Sequence, residues 1–404
     1  MSRYRLYPTP AQETALLSHC TPARYVWNLA VEQRDWWQPG RRAPGYAEQC
    51  RQLSEARAAF PWLAEGSVIV QQQALRDFQA AQVSWSAALR HWRRRYVKIP
   101  PGRRPNPPGQ PGFRKRGQCE GFRIVATGPQ DLRPLNRRWA QVLVPKLGWV
   151  RFRLSRPVPD ARSYRVTRDR VGRWHVAFAA IPVPIPGPST GEVVGIDRGV
   201  TVTLALSDGH AYQAPTDRDV KRLQRRLARA KRGSNRRAKL KARHARLHAR
   251  NADARRDWVE KVSTEIARGY DLIRIEDLDV AGMIRSARGT VAQPGRHVGQ
   301  KASLNGSILR SGWGMFATRL EHKARGRVEK VNPAYTSQRC SQCGTVDRRA
   351  RESQAAFRCW SCGYFANADH NAARNIAAGH AARGGLALAE PMNREPQLAA
   401  SSVK

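Results

Sequence analysis

The chain has 404 residues, room for roughly two to four domains and a large core. Its 72 Lys+Arg against 31 Asp+Glu leave a net charge of +41, a field that no enzyme of small neutral substrates requires and that calls for a polyanionic partner. With no long apolar run, no signal-peptide core and no basic amphipathic anchor near Met1, nucleic acid is expected as that partner rather than a membrane, and seven scattered or paired cysteines suit a reducing cytosol.

In chain order, Met1 to Tyr7 reads as a short strand. Thr9-Pro10-Ala11-Gln12 has the form of a capping box with proline at the first helical position, and Thr21-Pro22 repeats that start signal for a second helix. Leu75, Phe78, Gln82, Trp85, Leu89 and Trp92 then fall three or four apart, the stripe of a helix packed in a bundle, so residues 9–94 are expected to form a helical domain. From Arg93 to Arg116 six prolines rule out a regular helix; this linker, with Arg114 and Lys115, is expected to lie on phosphates. Strands are predicted at Ala140–Val144, Trp149–Leu154, Tyr164–Thr167 and Trp174–Ile181, a small barrel or sheet closed by the stiff run Pro182 to Pro188. Cys20, Cys50 and Cys119 are expected to pack as small apolar groups.

A new unit begins near Glu192. Val193 to Asp197 and Thr201 to Leu206 are predicted strands ending in the hairpin signal Asp208-Gly209. Residues 221–250 carry fourteen Lys/Arg and no acid, with Leu223, Leu227, Leu240 and Leu247 as a sparse apolar stripe broken at Gly233-Ser234-Asn235. This predicts a helical hairpin that tracks phosphates, with Arg225, Arg229 and Arg236 among the contacts. Leu272 to Glu276 is another strand, 283–302 a mobile Gly/Ser/Arg-rich segment, 304–324 one helix and Arg327 to Val331 a strand. A helix is predicted from Asp369 to Ala378, and the tail from about Gly384 is expected to be disordered.

Cys340, Cys343, Cys359 and Cys362 form C-x2-C, fifteen intervening residues, C-x2-C, with glycine just after each knuckle. That spacing suits a closed tetrahedral site for structural Zn2+. Asp197 and Glu276 each end a buried strand, and Asp369 starts a helix, where the helix dipole favours a carboxylate. Acids brought from separate elements can hold two Mg2+ ions about 4 Å apart for an in-line phosphodiester displacement. Singly, each is equally readable as a cap, a turn residue or an ion-pair partner. Two-ion chemistry needs no further base, so His370 is expected to be a surface residue.

Gly195-Ile196-Asp197-Arg198-Gly199-Val200, Ile275-Glu276-Asp277-Leu278, the segment Thr336 to Gly344 and Asp369-His370-Asn371-Ala372-Ala373-Arg374-Asn375-Ile376 resemble the split RuvC nuclease and zinc-finger signature of TnpB proteins, transposon-encoded ancestors of compact type V CRISPR effectors. The likeness runs in order over about residues 3–380. It implies an α+β multidomain chain. A wedge β-barrel (1–8 and 95–190) would be interrupted by a helical recognition domain (9–94). An RNase H-like α/β nuclease domain (191–336, basic hairpin 216–260, closing segment 367–383) would carry a four-cysteine zinc-finger insertion (337–366), with 384–404 as the disordered tail. It further implies a guide RNA and target double-stranded DNA as partners, Asp197, Glu276 and Asp369 as Mg2+-binding acids, Arg374 near the scissile phosphate, and Tyr46 and Gln72 near positions that read a short flanking motif. A monomer acting in the prokaryotic cytosol, bound to the nucleoid when on DNA, is expected. Residues 283–302 would gate a single nuclease site that cuts both strands. A guided DNA-binding protein without cleavage and a transposase-associated accessory protein stand as alternatives.

Overall fold

The computed structural model describes residues 2–36, 43–100, 104, 106–118, 120–125, 128–180, 183–216, 219–291 and 293–379. The expected disordered tail and Cys119 lie outside them. The chain divides into two compact units, 1–181 and 182–404.

In the first unit, strand β1 (Ser2–Arg5) leads into helix α1 (Pro10–Asp35), whose start carries the reciprocal capping box between Thr9 and Gln12. The second helix start expected at Thr21-Pro22 does not materialise: α1 runs straight through Pro22. The lost backbone bond is offset by burial of Pro22, while the Thr21 hydroxyl donates to the Leu17 carbonyl. Helices α2 (Tyr46–Ala59), α3 (Pro61–Ala64) and α4 (Val68–Tyr96) follow. The apolar stripe of α4 is bundle core only at Leu75 and Phe78. Farther along, half-buried Trp85 donates to the Pro108 carbonyl and Trp92 takes Arg104 over its ring, so the proline-rich segment replaces a partner helix there.

Strands β2 (Gly121–Val125), β3 (Leu132–Asn136), β4 (Trp139–Val144), β5 (Gly148–Arg153), β6 (Ser163–Arg168) and β7 (Trp174–Phe178) complete the unit. They form two antiparallel sheets, β1-β7-β6-β2 and β3-β4-β5, joined by a single bridge between Leu6 and Phe152. Alternating burial along β2 and β4 turns one face of each sheet inward, and Tyr4, Phe152, Tyr164 and Phe178 meet ring to ring between them. Cys20 is buried, its thiol pushed up to about 12 by that burial, and Cys50 packs against the same core.

The second unit is built on one five-stranded sheet, ordered β10-β9-β8-β11-β12, from β8 (Val193–Asp197), β9 (Leu204–Leu206), β10 (Ala211–Tyr212), β11 (Leu272–Glu276) and β12 (Val328–Val331). β8, β11 and β12 run parallel, with Ile196 beside Ile275. Between β10 and β11 lie helices α5 (Val220–Arg229) and α6 (Asn235–Gly269). α6 changes character along its length: Val259, Val262, Ile266 and Ala267 join Val194, Ile196 and Ile273 in the sheet's core, whereas residues 235–250 form the charged arm.

After β11 come α7 (Val280–Met283), α8 (Val298–Ser311) and α9 (Trp313–Lys323). The single helix expected over 304–324 is two helices, broken at Gly312, whose φ of 72° only glycine adopts without strain. Helix α8 takes up the end of the 283–302 segment, and its Lys301 and Asn305 bond the carbonyls of Met283 and Ile284. A short hairpin of β13 (Ala356–Arg358) and β14 (Phe365–Asn367) precedes the last helix, α10 (Ala368–Ala377). α10 lies on the sheet face opposite α6 and α9. A Cβ on Gly195 would stand 2.1 Å from the Ala373 carbonyl oxygen and 2.2 Å from the Ala377 nitrogen, so glycine on β8 and alanines on α10 permit that close approach.

Candidate active site and four-cysteine cluster

Asp197 and Glu276 stand at the carboxyl ends of adjacent parallel strands, the edge at which open α/β sheets carry their ligand sites. Asp369 comes to the same edge from the first turn of α10, whose N-cap Asn367 accepts hydrogen bonds from the Asp369 and His370 backbone N–H groups. A Cβ on Gly199, just after β8, would lie 3.9 Å from the Asp369 carboxylate. Three acids from three distant stretches of sequence thus share one pocket of charge. Burial, then the negative charges of Glu276 and Asp369, raise the Asp197 carboxyl well above its ordinary value. Burial also raises Asp369, against the pull of Arg351, whose Nη2 is 3.2 Å from its carboxylate.

The surroundings hold these groups in place. The Thr336 hydroxyl donates to Glu276 Oε1 at 2.7 Å, and Trp313 Nε1 donates to the Gly199 carbonyl. Arg198 is 5% exposed and donates to the Glu276 carbonyl oxygen, a buried cation placed among acids. Asn371 and Asn375, one turn apart on α10, donate to the carbonyls of Arg339 and Thr336, and Asn371 accepts from the Ser341 N–H. The helix bearing Asp369 is therefore tied to the first cysteine knuckle. Gln354 adds a bond to the Thr201 hydroxyl.

The cysteines form two similar knuckles. In each, the glycine N–H returns to the first cysteine's carbonyl, Gly344 to Cys340 and Gly363 to Cys359, with φ of 78° and 76°. All four Sγ atoms lie within 4.8 Å of one another, with Cys340–Cys362 at 3.7 Å and Cys343–Cys359 at 3.6 Å. Tetrahedral thiolates around zinc are about 3.8 Å apart, since Zn–S is about 2.3 Å. The cluster fits such an ion. Hydrogen bonding to Thr345 pulls the Cys343 thiol down while burial pushes Cys340 up, so protons are shared unevenly among the four sulfurs.

Among the described residues the cysteines are the only group of metal-ligating side chains gathered this tightly about one point. The three carboxylates are spread more widely. Their donor set nevertheless fits hard divalent cations: all oxygen, with Glu276 and Asp369 buried and Asp197 half-buried, and with a surplus of negative charge that Arg351 and Arg198 offset only in part.

Of the other residues singled out in the sequence, Arg374 is exposed and donates to the Tyr364 hydroxyl rather than to the acids. His370 is half-buried and bonds the Ser207 carbonyl, a structural tie in place of the expected free surface position. Tyr46 starts α2 and receives Arg76 at its hydroxyl; Gln72 is half-buried on α4. Arg114 stacks on Trp27, 3.5 Å from the ring centroid, while Lys115, Arg225, Arg229 and Arg236 are exposed. Sequence reasoning missed Arg351, which lies in a run of arginines with no distinguishing pattern. Thr336, Asn371 and Asn375 lay inside the recognised motifs, and their hydroxyl and amide groups were the signal of a supporting shell.

Known proteins resemble this chain along its whole length. A protein of Escherichia coli (strain K12) named "Putative RNA-guided DNA endonuclease InsQ" is 35% identical over 98% of this chain and 96% of its own. The chain belongs to the TnpB family. Within that family frame, residues 175–287 match the family described as "Probable transposase", 313–376 the Cas12f1-like TNB domain, and 2–42 a helix-turn-helix domain, although α1 is one continuous helix here. A 51-residue stretch is 63% identical to the CRISPR-associated endodeoxyribonuclease Cas12f1 of Sulfoacidibacillus thermotolerans, covering 13% of this chain and 12% of that one. A solved Cas12f1–sgRNA–target DNA complex shares the fold, with a TM-score of 0.50 and 15% identity, covering 92% of this chain and 83% of that one. No described helix is long and apolar enough to cross a membrane.

Proposed function

We propose that this TnpB-family chain is an RNA-guided DNA endonuclease whose nuclease centre is the carboxylate set Asp197, Glu276 and Asp369. The observation that carries the reading is the meeting of these three acids, from β8, β11 and α10, beside one another at the carboxyl edge of the sheet. Full-length similarity to a protein named as an RNA-guided DNA endonuclease supports it.

The acids would hold two Mg2+ ions, which when bound supply the activation of the attacking water and stabilisation of the leaving oxygen. Thr336 fixes the Glu276 carboxylate, and Asn367 fixes the turn that presents Asp369. Arg351 covers Asp369, and its guanidinium would be the group placed to meet the scissile phosphate. Cys340, Cys343, Cys359 and Cys362 would hold a structural Zn2+, and Asn371 and Asn375 attach α10 to the first of their knuckles.

Guide pairing would supply sequence specificity, and the protein would grip backbone and read a short duplex motif through its helical domain, Tyr46 and Gln72 included. The nuclease core is assigned to 191–336 and 367–383, the zinc insertion to 337–366, and the wedge and recognition domains to the remaining described residues before them. The chain would act as a monomer in the prokaryotic cytosol, in a transposon or a miniature CRISPR setting. The test is to purify the protein from cells carrying its native locus and sequence the bound RNA. A defined scaffold with a variable segment is expected, and recovery of no discrete RNA would overturn guided recognition.

A further inference from the structure

Helix α10 carries Asp369 in its first turn, so where that carboxylate stands depends on how the helix is seated. Asn371 and Asn375 attach one side of it to the first cysteine knuckle. On another side, His370, Ala373 and Ala377 are spaced three and four residues apart and share a face. That face lies on β8, where the room above Gly195 is filled by the Ala373 carbonyl and the Ala377 nitrogen. Contact between a glycine and alanines is close but non-directional: it sets the distance of the helix from the sheet, not its position along its own axis.

Directional bonds do that at both ends. At the last turn, Arg274 of β11 donates to the Ala377 carbonyl at 2.6 Å. At the first, half-buried His370 places Nε2 2.9 Å from the Ser207 carbonyl, which can only accept, so the ring donates from Nε2. Ser207 is itself pinned to β8 twice, its N–H donating to the Gly195 carbonyl and its hydroxyl accepting from the Gly195 N–H. Asp197 stands two residues farther along that strand. The His370 N–H meanwhile donates to Asn367 Oδ1, the same oxygen that caps the Asp369 N–H. One residue therefore links the turn that presents Asp369 to the strand that presents Asp197. The two carboxylates repel each other, and the link opposes their separation.

We propose that His370 is a positioning residue of the carboxylate centre, whose bond to the Ser207 carbonyl fixes the Asp369 carboxylate relative to that of Asp197. Its ring bonds Ser207 rather than either acid, so it acts through Asp369 and not on the substrate. The inference rests on the reading of these acids as a divalent-cation and nuclease centre, and it adds the group that sets their spacing.

The experiment compares the full-length, guide-loaded wild type with His370→Phe, His370→Ala and His370→Gln on two readouts: Mn2+ affinity, followed by the electron paramagnetic resonance of the free ion, and single-turnover cleavage of cognate duplex at saturating Mg2+. Phe keeps the ring's bulk and Ala removes it, but neither can donate, and in both the Mn2+ affinity and the cleavage rate should fall at least about tenfold. Gln carries an amide N–H at a similar reach and should stay within about threefold of wild type on both. Guide affinity and zinc content should match wild type in all three. Undiminished Mn2+ affinity and cleavage in the Phe and Ala variants, or a Gln variant as impaired as they are, would overturn the role. So would a loss that appears in Ala but not in Phe, which assigns it to packing, or one that comes with loss of guide affinity or zinc, which makes His370 a general structural tie. If Asp197→Ala matches wild type on both readouts, it is the parent reading that fails.

Discussion

The carboxylate centre and the basic arm are both places where like charges are held together, yet they are built on opposite principles. The acids sit at a sheet edge, Asp197 half-buried and Glu276 and Asp369 at 7% and 8% exposure, the latter two held by Thr336 and Arg351. The arm's cations stand in solvent on two helices, whose turn is closed by Arg237 on the Leu227 and Ala230 carbonyls. Burial makes each acid's charge costly and its position exact, so one residue carries a large effect. In the arm, water screens every charge, and the effect is a sum of small ones. On the proposed function, a centre that places atoms and a surface that holds a polymer would call for these two arrangements.

The largest effect expected on the concentrated side is loss of the cysteine cluster. Cys359→Ser, or prolonged chelation, should remove a structural ion whose binding contributes about 10 kcal/mol in comparable sites. The zinc unit should melt, and because Asn371 and Asn375 tie α10 to it, cleavage should fall with it. Metal content per chain and a thermal melt check this; an unchanged melt would detach the cluster from the fold of the centre.

Next is Asp197→Ala, expected to reduce single-turnover cleavage of cognate duplex by at least about 1,000-fold. Guide and target affinities should be unchanged. An Asp197→Ala protein that still cuts would remove the carboxylates from the mechanism. Thr336→Val should act more gently, raising the Mg2+ concentration for half-maximal cleavage about 10- to 100-fold, as loss of a partner that orients a ligand does elsewhere. Titration of cleavage against Mg2+ reads this directly, and an unaltered curve would show that Glu276 needs no such support.

The smallest is a trend with pH. With no Mg2+ added, Asp197 and Asp369 keep their protons at pH values where the unfolded chain has already released them, near pH 4. The folded state then binds more protons than the unfolded one, so stability falls as pH rises through that interval and toward the raised folded values. Asp197→Asn lacks the larger of the two contributions. Its melting temperature should therefore gain on wild type's as pH increases from 4 to 7, and parallel curves would show that the carboxylates do not repel as described.

How legible these regions were differs in the same way. Asp197, Glu276 and Asp369 could be marked as strand-end and helix-start acids, but only the parallel pairing of β8 with β11 and the seating of α10 on Gly195 bring them together. The arm's charge was plain from residues 221–250, yet that Arg237 is the one that closes the turn was not. Helix ends showed a similar limit. The capping box at Thr9 is a local interaction and formed as read, whereas Pro22 was overridden by burial, and the break at Gly312 depends on how α9 packs on the sheet core.

The sequence by itself determined the cysteine knuckles, the acid-bearing strands, the basic hairpin and the need for a polyanionic partner, because spacing, strand alternation and net charge are properties of neighbouring residues. Tertiary structure alone decided that Arg351 covers Asp369, that Thr336 holds Glu276, that Arg374 turns to Tyr364, and that the zinc knuckle and α10 form one body through Asn371 and Asn375. Each of these joins groups distant along the chain or orients a side chain that could equally have pointed elsewhere. Such choices are made by packing and desolvation, which exist only once the chain has folded.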